Sequence, residues 1–264
     1  MMLLWPELRY EPIEKRIRAL AGGEVAVDSI RAALVWEPRR VVPSYAVPSG
    51  DVRAAMSPAL REPAEAPDGV LHPGIPFPAH TAPGHALDVG DRPAAGFALD
   101  DAGLDGYVVL DFKAFDRWLE EDQPVESHAV DPFHRVDVRR SSRHVRVEID
   151  GERIAETSRP VLLFETSLPT RFYIPLADVE AELLPSELRT RCPFKGQAAW
   201  WSLEAGGRHH ADIGWTYRVT LPETGALQDH VAFWDERVEV IVDGVPRERP
   251  RTLVSKALLD EVGA

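Results

Sequence analysis

The chain has 264 residues, a formal net charge of −13 and a hydrophobic content of 44%. This length suits one large domain or two of roughly 120 residues, each able to bury a core. The acidic balance disfavours nucleic acid as a partner, and the one basic run, at 139–143, is too short to make a groove. No apolar run could span a membrane, and one cysteine allows no internal disulfide. We therefore expect a soluble cytoplasmic protein with no nucleic-acid or membrane partner.

Two stretches of the chain resemble each other. Residues 17–45 align without gaps onto residues 145–173, and the identical pairs include Glu37/Glu165 and Tyr45/Tyr173. In this alignment Pro43 stands where the second stretch has Arg171. Such a repeat predicts two tandem copies of one domain, at roughly 13–124 and 130–250.

Most of the pattern is that of β-strands. Residues 145–149 alternate apolar and polar side chains before an Asp-Gly turn, and residues 161–164 form a short apolar run between prolines. Residues 179–183 are predicted to add a further strand. We therefore expect a mainly β protein made of two tandem copies of a small β-rich domain with one or two short helices.

The helices are predicted from spacing. Phe112, Phe115, Trp118 and Leu119 fall on one face of a helix, and residues 253–262 form an amphipathic segment. The proline-rich stretch 62–93 is predicted to be an extended loop.

The second copy carries a longer motif. It reads Leu-Phe-Glu-Thr-x-Leu-Pro-x-Arg-Phe-Tyr-x-Pro at 163–175 and Thr-x-Cys-Pro-Phe-Lys-Gly at 190–196, followed by Trp-Ser at 201–202. Trp215, Tyr217 and residues 231–234 extend it. This set resembles the bacterial domain-of-unknown-function family numbered 427, whose long members are similarly tandem.

The resemblance implies a fold similar to the small β-rich domain of methionine-R-sulfoxide reductases, and the family also has a nucleotidyltransferase-like name. The sequence does not favour that chemistry, because it has no Gly-Ser dipeptide and no phosphate-binding Gly-x-x-x-x-Gly-Lys-Ser/Thr loop. It also lacks a Gly-x-Ser-x-Gly elbow. The first copy lacks the cysteine motif, so any site is expected in the second copy or at the junction of the two.

Cys192 and Lys195 are the candidate catalytic residues. An ammonium group close to a thiol favours the thiolate, and a glycine at 196 would let a ligand approach the main chain. The alternative is a buried structural cysteine, with Lys195 paired to a carboxylate.

Further candidates would bind a ligand. Arg171 and Tyr173 share a strand face and offer a guanidinium and a hydroxyl to an anion, unless Arg171 pairs with Glu165 or Asp178. Trp200 and Ser202 share another strand face. The ligand-binding candidates are Glu165, Arg171, Tyr173, Trp200 and Ser202.

The pattern therefore predicts a binding site for a small anionic molecule in the second copy, and it leaves open whether the protein is also an enzyme. The alternatives are a non-catalytic interaction module or thiol chemistry at Cys192. No metal site is predicted, since zinc needs about four converging ligands and the single cysteine has no Cys-x-x-Cys partner. Neither cofactor nor oligomeric state follows from the sequence.

Overall fold

The computed structural model describes residues 6–60, 64–250 and 252. The chain divides into two compact units between Asp131 and Pro132, called unit 1 and unit 2 below. Named strands pair only in antiparallel fashion, and they form two sheets in each unit. The mainly β prediction is thus confirmed. None of the helices in the described ranges is long and apolar enough to cross a membrane.

The described residues of unit 1 form eleven strands. They are β1 (Arg9–Pro12), β2 (Ile17–Ala21), β3 (Glu24–Ser29), β4 (Ala33–Trp36), β5 (Ser44–Pro48), β6 (Met56–Pro58), β7 (Gly84–Val89), β8 (Arg92–Leu99), β9 (Tyr107–Leu110), β10 (Arg117–Glu120) and β11 (Gln123–Val125). The larger sheet has the order β1-β4-β5-β9-β8-β7-β6, and the smaller has the order β11-β10-β2-β3.

Eleven strands are also formed by the part of unit 2 that the structure describes. They are β12 (Val136–Arg140), β13 (Val145–Ile149), β14 (Glu152–Thr157), β15 (Val161–Glu165), β16 (Arg171–Pro175), β17 (Leu184–Cys192), β18 (Gly196–Ala205), β19 (Arg208–Thr220), β20 (His230–Phe233), β21 (Glu239–Val242) and β22 (Val245–Pro246). The sheets have the orders β12-β15-β16-β20-β19-β18-β17 and β14-β13-β21-β22.

The two units share one strand order, position by position, in both sheets. They also share a hydrogen bond that joins the last residue of a small-sheet strand to the 3-10 turn after a large-sheet strand. Ser29 donates to Asp51 at 2.7 Å in unit 1, and Thr157 donates to Asp178 at 2.6 Å in unit 2. In each unit an arginine pairs with the same aspartate. The internal similarity therefore extends from sequence to hydrogen bonding.

The strand register corrects the ungapped alignment. Leu34 lies opposite Tyr45 in unit 1, whereas the equivalent Leu162 lies opposite Phe172 in unit 2. The loop before β16 in unit 2 is therefore one residue shorter than the loop before β5 in unit 1, and the counterpart of Tyr173 is Ala46. A slip of one residue moves a strand side chain to the other face of the sheet. Arg171 consequently corresponds to Ser44 and not to Pro43.

The core of each unit lies between its two sheets. In unit 2, Val145 and Val147 of the small sheet belong to the same buried cluster as Leu162, Phe172 and Ile174 of the large sheet. Because strand side chains alternate, their neighbours point to the opposite face of the large sheet. That face carries a second buried cluster, which contains most of the candidate site.

The predicted helix at 112–119 is wrong. Residues Phe112–Ala114 form a 3-10 turn capped by Asp111, and Trp118 belongs to strand β10. The spacing nevertheless reflects a real contact, since the rings of Phe112 and Trp118 stack at 5.4 Å and Trp118 donates to the carbonyl of Phe112 at 2.8 Å. A tight turn brings these rings together without an α-helix.

Other local expectations have mixed outcomes. Residues 179–183 form no named strand, and the chain there follows the 3-10 turn Leu176–Asp178. The proline-rich stretch is irregular through residue 83 in its described part, but β7 and the start of β8 lie within its predicted range. The segment 253–262, predicted to be helical, lies outside the described residues. The remaining 3-10 turns are Ser49–Asp51, Ala102–Leu104 and Pro222–Leu227.

Substitutions in β10 distinguish a strand from the predicted helix. Trp118 is buried among aromatic rings and Leu119 points away from that core. We expect Trp118→Ala to lower the free energy of unfolding by about 3–5 kcal/mol. Leu119→Ala, the matched control one residue later, should cost about 1 kcal/mol or less. Urea unfolding measures both, and equal costs would contradict the strand.

Candidate functional site

A row of side chains crosses the large sheet of unit 2 on the face turned away from the small sheet. Tyr173 and Trp215 both lie opposite Ala232, and Trp200 lies opposite Trp215. Directly opposed residues of antiparallel strands point to the same face, so the row is dictated by the register. The indole of Trp215 donates a hydrogen bond to the Tyr173 hydroxyl at 3.0 Å. The sheet therefore gathers residues far apart in sequence.

Glu165 and Lys195 form a buried ion pair on this face. Glu165 ends β15, and Lys195 lies in the turn between β17 and β18. His134 reaches the other carboxylate oxygen of Glu165 through Nε2 at 3.0 Å. Burial alone would raise the pKa of Glu165, but the Lys195 charge and the hydrogen bonds from His134 and Lys195 outweigh it and lower the pKa to about 2. Glu165 is thus a permanent anion.

Lys195 is held as a cation. Burial would lower the pKa of its ammonium group, but the Glu165 carboxylate and smaller contributions from Cys192 and Tyr173 raise it above the ordinary value. An ammonium group has three donors. Among the described residues, the Lys195 ammonium donates a hydrogen bond to Glu165 alone. Donors therefore remain for another acceptor.

Cys192 lies partly buried beside this pair. Burial raises the pKa of its thiol, and the opposing effect of Lys195 is smaller. The sulfur packs in the same cluster as Trp200 and Trp215. Lys195 thus has the predicted sign of influence on the thiol, but the net direction favours the neutral form, which is a poor nucleophile.

Arg171 forms the second buried ion pair. Its two terminal nitrogens bind both oxygens of Glu236, at 2.6 and 2.7 Å. The guanidinium lies 5.6 Å from the ring centre of Trp215 and 5.7 Å from that of Trp234. The predicted partners of Arg171 were Glu165 or Asp178, and both are wrong: Asp178 pairs with an arginine of its own. The register puts Arg171 beside the chain that follows β20, where Glu236 lies.

A second carboxylate, that of Asp235, lies beside the Arg171–Glu236 pair. Its Oδ1 lies 3.4 Å from Arg171, while its buried Oδ2 has no hydrogen-bond partner among the described residues. Burial raises the pKa of Asp235 to about 6, against the opposing charge of Arg171, and the neighbouring Glu236 raises it further. Arg247 lies 3.9 Å from Oδ2 and, like Arg171, lowers the pKa of Asp235, but the two guanidinium groups together do not outweigh burial.

Trp200 joins this cluster and Ser202 does not. The ring centres of Trp200, Trp215 and Trp234 lie 5.1 to 5.9 Å apart. Trp201 points to the opposite face and packs in the core between the sheets, as the alternation of strand residues requires. Ser202 lies at a bulge, where its hydroxyl accepts a hydrogen bond from the amide of Asp212 at 3.1 Å.

The backbone conformation and the close packing at position 196 both require a glycine. Its φ is +104°, and a Cβ there would lie 2.1 Å from the carbonyl oxygen of Val219. The space above this glycine is thus filled by the backbone of β19. The expectation that a ligand approaches the main chain at Gly196 is therefore wrong. The glycine instead lets strands β18 and β19 pair closely at the residue next to Lys195.

Sequence reasoning named Trp215, Tyr217 and Trp234 only as part of the motif, and it missed His134, Asp235 and Glu236 altogether. Tyr217 alternates with Trp215 along β19, which was a usable signal. The acidic pair follows a buried strand and has no spacing relation to Arg171, so no sequence pattern indicated it. Among the described residues, no three or more His, Cys, Asp or Glu side chains converge on a metal site.

Unit 1 keeps the glutamate but changes its partners. Glu37, the counterpart of Glu165, binds His80 at 2.8 Å and accepts a hydrogen bond from the amide of Thr81 at 2.7 Å. The nearby Arg40 donates to three backbone carbonyls of the proline-rich loop. The glutamate in unit 1 therefore anchors a loop.

The hairpin behind Lys195 can be tested with two glycines. Gly207 also has a positive φ, +71°, but no atom lies within 4 Å of where its Cβ would be. Gly207→Ala should cost about 1–2 kcal/mol for its conformation alone. Gly196→Ala should cost about 1–3 kcal/mol more, because a backbone carbonyl obstructs the methyl group. Urea unfolding reports both values, and equal costs would refute the close approach.

Asp235 should make stability depend on pH. Its pKa is about 6 in the folded protein and near 3.8 ordinarily, so the folded state binds more protons between these values. The free energy of unfolding should therefore fall as pH rises from about 4 to 6, by up to roughly 3 kcal/mol. Asp235→Asn should remove this loss. Urea unfolding at several pH values compares the two proteins, and parallel profiles would contradict the surplus charge.

Comparison with known proteins gives one assignment. Residues 137–244 match the model of a family described as Domain of unknown function (DUF427). No curated protein matches the chain. The matched range contains the strands and most of the side chains of the cluster described above. Residues 137–244 of this chain are therefore a DUF427 domain.

Proposed function

We propose that unit 2 binds a small anionic molecule at the sheet face that holds Lys195 and Arg171. The observation that carries this proposal is the layering of charge. The side chains of Lys195 and Arg171 are 10% and 11% exposed, whereas those of Glu165 and Glu236 are 5% and 1% exposed. The side chain of each cation is thus slightly more exposed than that of the carboxylate that holds it.

This layering favours binding over pure scaffolding. The deeper carboxylates fix the positions of the cations, and an incoming anion needs no large rearrangement to meet them. Lys195 has donors left, and Arg171 has five donors of which two bind Glu236. Fixed cations in a partly dehydrated setting attract an anion more strongly than solvated ones.

The neighbouring residues have distinct roles in this proposal. The rings of Trp200, Trp215 and Trp234 offer an apolar surface to the body of the ligand. Tyr173 is buried and keeps its proton, because burial raises the pKa of its hydroxyl. Cys192 contributes a neutral thiol to the wall. This is the chemistry of binding and orientation, and thiol catalysis has no support in the direction of the Cys192 pKa.

Two alternative roles compete with anion binding. In the first, the ion pairs only hold the sheet face together. In the second, unit 2 is an interaction module that binds a protein partner. Both roles predict that a small anion has no effect that depends on Lys195.

A stability measurement separates anion binding from these two roles. Inorganic phosphate is titrated at constant ionic strength, because phosphate also strengthens burial without binding. At 100 times its dissociation constant it should add about 2.7 kcal/mol to the wild type. Lys195→Met alone would leave Glu165 buried without its cation, so the informative variant is Glu165→Gln combined with Lys195→Met.

The matched control removes a lysine from an exposed ion pair. Lys15 pairs with Glu120 in unit 1 at 2.5 Å. Lys15→Met should keep the phosphate effect in full, and the double variant should lose it. An equal effect in the wild type and the double variant, or no effect in the wild type with phosphate or acetate, would overturn the proposal.

A further inference from the structure

A groove lies at the other end of the same sheet face in unit 2. Arg140 ends β12 and lies opposite Val161 at the start of β15, while Pro175 ends β16 opposite His230 at the start of β20. Antiparallel strands bring these four positions to one edge. They line a cavity of about 500 Å³, together with Leu176 and others. This volume is typical of small-ligand sites.

The walls of the groove are mainly apolar. Val161, Pro175, Leu176 and Ala177 line it, and Leu176 is a large hydrophobic side chain that is 38% exposed. Exposed apolar surface in a concave site is the usual setting for an apolar part of a ligand.

One cation of the groove has no partner within the described part of the chain. In the basic run at 139–143, Arg139 binds Asp137 at 2.8 Å and Arg143 binds Asp243 at 2.7 Å. Arg159, also in the lining, is held by Asp178 at 3.0 Å. Among the described residues, only Arg140 of the lining cations forms neither an ion pair nor a side-chain hydrogen bond. The basic run thus contributes to a groove after all, through this one residue.

One anion of the groove also has no side-chain partner within the described ranges. Asp229 lines the cavity, and its side chain makes no ion pair or hydrogen bond within the described ranges. Its φ is 61°, a left-handed conformation that costs a residue with a side chain about 1 kcal/mol or more. The remaining polar groups are engaged, since His230 Nδ1 binds the carbonyl of Gln228 at 2.7 Å and the Ser141 hydroxyl accepts from Arg143.

Unit 1 does not carry these two charges at the equivalent positions. Ser49, Gly106 and Tyr107, the counterparts of Leu176, Asp229 and His230, line a cavity of about 630 Å³ that extends over β7 and β8 instead. Gly106 has the same left-handed backbone, with φ of 75°, and its carbonyl accepts from Ser49 as that of Asp229 accepts from Leu176.

The register in unit 1 also places a proline where unit 2 has Arg140. Pro12 lies opposite Ala33, as Arg140 lies opposite Val161. At these equivalent positions, the pair of opposite charges is therefore present in unit 2 only.

We propose that this groove binds a small zwitterion with an apolar substituent, of the α-amino acid class. Arg140 binds the carboxylate, Asp229 binds the ammonium group, and Leu176 with its apolar neighbours receives the substituent. This site is separate from the anion site at Lys195 and does not depend on it. A simple anion would pair with Arg140 and leave Asp229 without a partner. A simple cation would pair with Asp229 and leave Arg140 without one.

Calorimetric titration of the full chain with three probes tests the charges. L-leucine has both charges, N-acetyl-L-leucine lacks the ammonium group, and L-leucinamide lacks the carboxylate. We expect leucine to bind, and each blocked analogue to bind roughly tenfold or more weakly, because each loses a charged hydrogen bond.

Two variants that each remove one charge assign the contacts. Asp229→Asn keeps a residue that tolerates the left-handed conformation, and it should make leucine and N-acetyl-leucine bind alike. Arg140→Gln should make leucine and leucinamide bind alike. Arg139→Gln, the adjacent control, should leave all three affinities unchanged, and so should the Glu165→Gln/Lys195→Met variant.

Three results would overturn this proposal. The first is that N-acetyl-leucine binds the wild type as tightly as leucine, which would indicate a plain anion site. The second is an absence of binding heat and of amide chemical-shift changes with any probe. The third is leucine binding that neither Arg140→Gln nor Asp229→Asn weakens, which would place the site elsewhere.

Discussion

The large sheet of unit 2 must keep two cations on a face that is mostly apolar. Lys195 and Arg171 can remain charged there only because Glu165 and Glu236 pair with them. Removing one partner would leave a buried charge uncompensated, so these residues act as a unit.

The sequence predicted the architecture better than the contacts. Alternation and turn signals predicted the β class and the repeat, because both are local patterns. The position of Tyr173 was harder, since one missing residue in a loop turned its apparent counterpart, Tyr45, to the opposite face. The Arg171–Glu236 pair could not be predicted, because it depends on which strands become neighbours in the sheet. Spacing alone also mistook the Phe112–Trp118 contact for a helix.

The two units illustrate how one strand order supports different chemistry. Glu37 and Glu165 occupy equivalent places, yet one anchors a loop and the other holds a lysine. The same sheet edge likewise carries Gly106 in one unit and Asp229 in the other, with the same backbone hydrogen bond from Ser49 or Leu176. The backbone of the domain therefore specifies where a site can form, and a few charged side chains specify what the site can hold. The DUF427 match lies in unit 2, the unit that carries the buried ion pairs of Lys195 and Arg171.

The most direct test of the anion site is an NMR titration of the tryptophan indoles with phosphate. The chain has seven tryptophans, and their indole N–H groups give separate signals. The Nε1 protons of Trp200 and Trp215 donate to Thr190 and Tyr173, and the Trp215 ring lies 5.6 Å from Arg171 and 5.1 Å from the Trp200 ring. We expect these signals to shift with a common dissociation constant while that of Trp118 in unit 1 stays constant. Signals that remain unchanged up to millimolar phosphate, or a shift only in unit 1, would contradict an anion site on this sheet face.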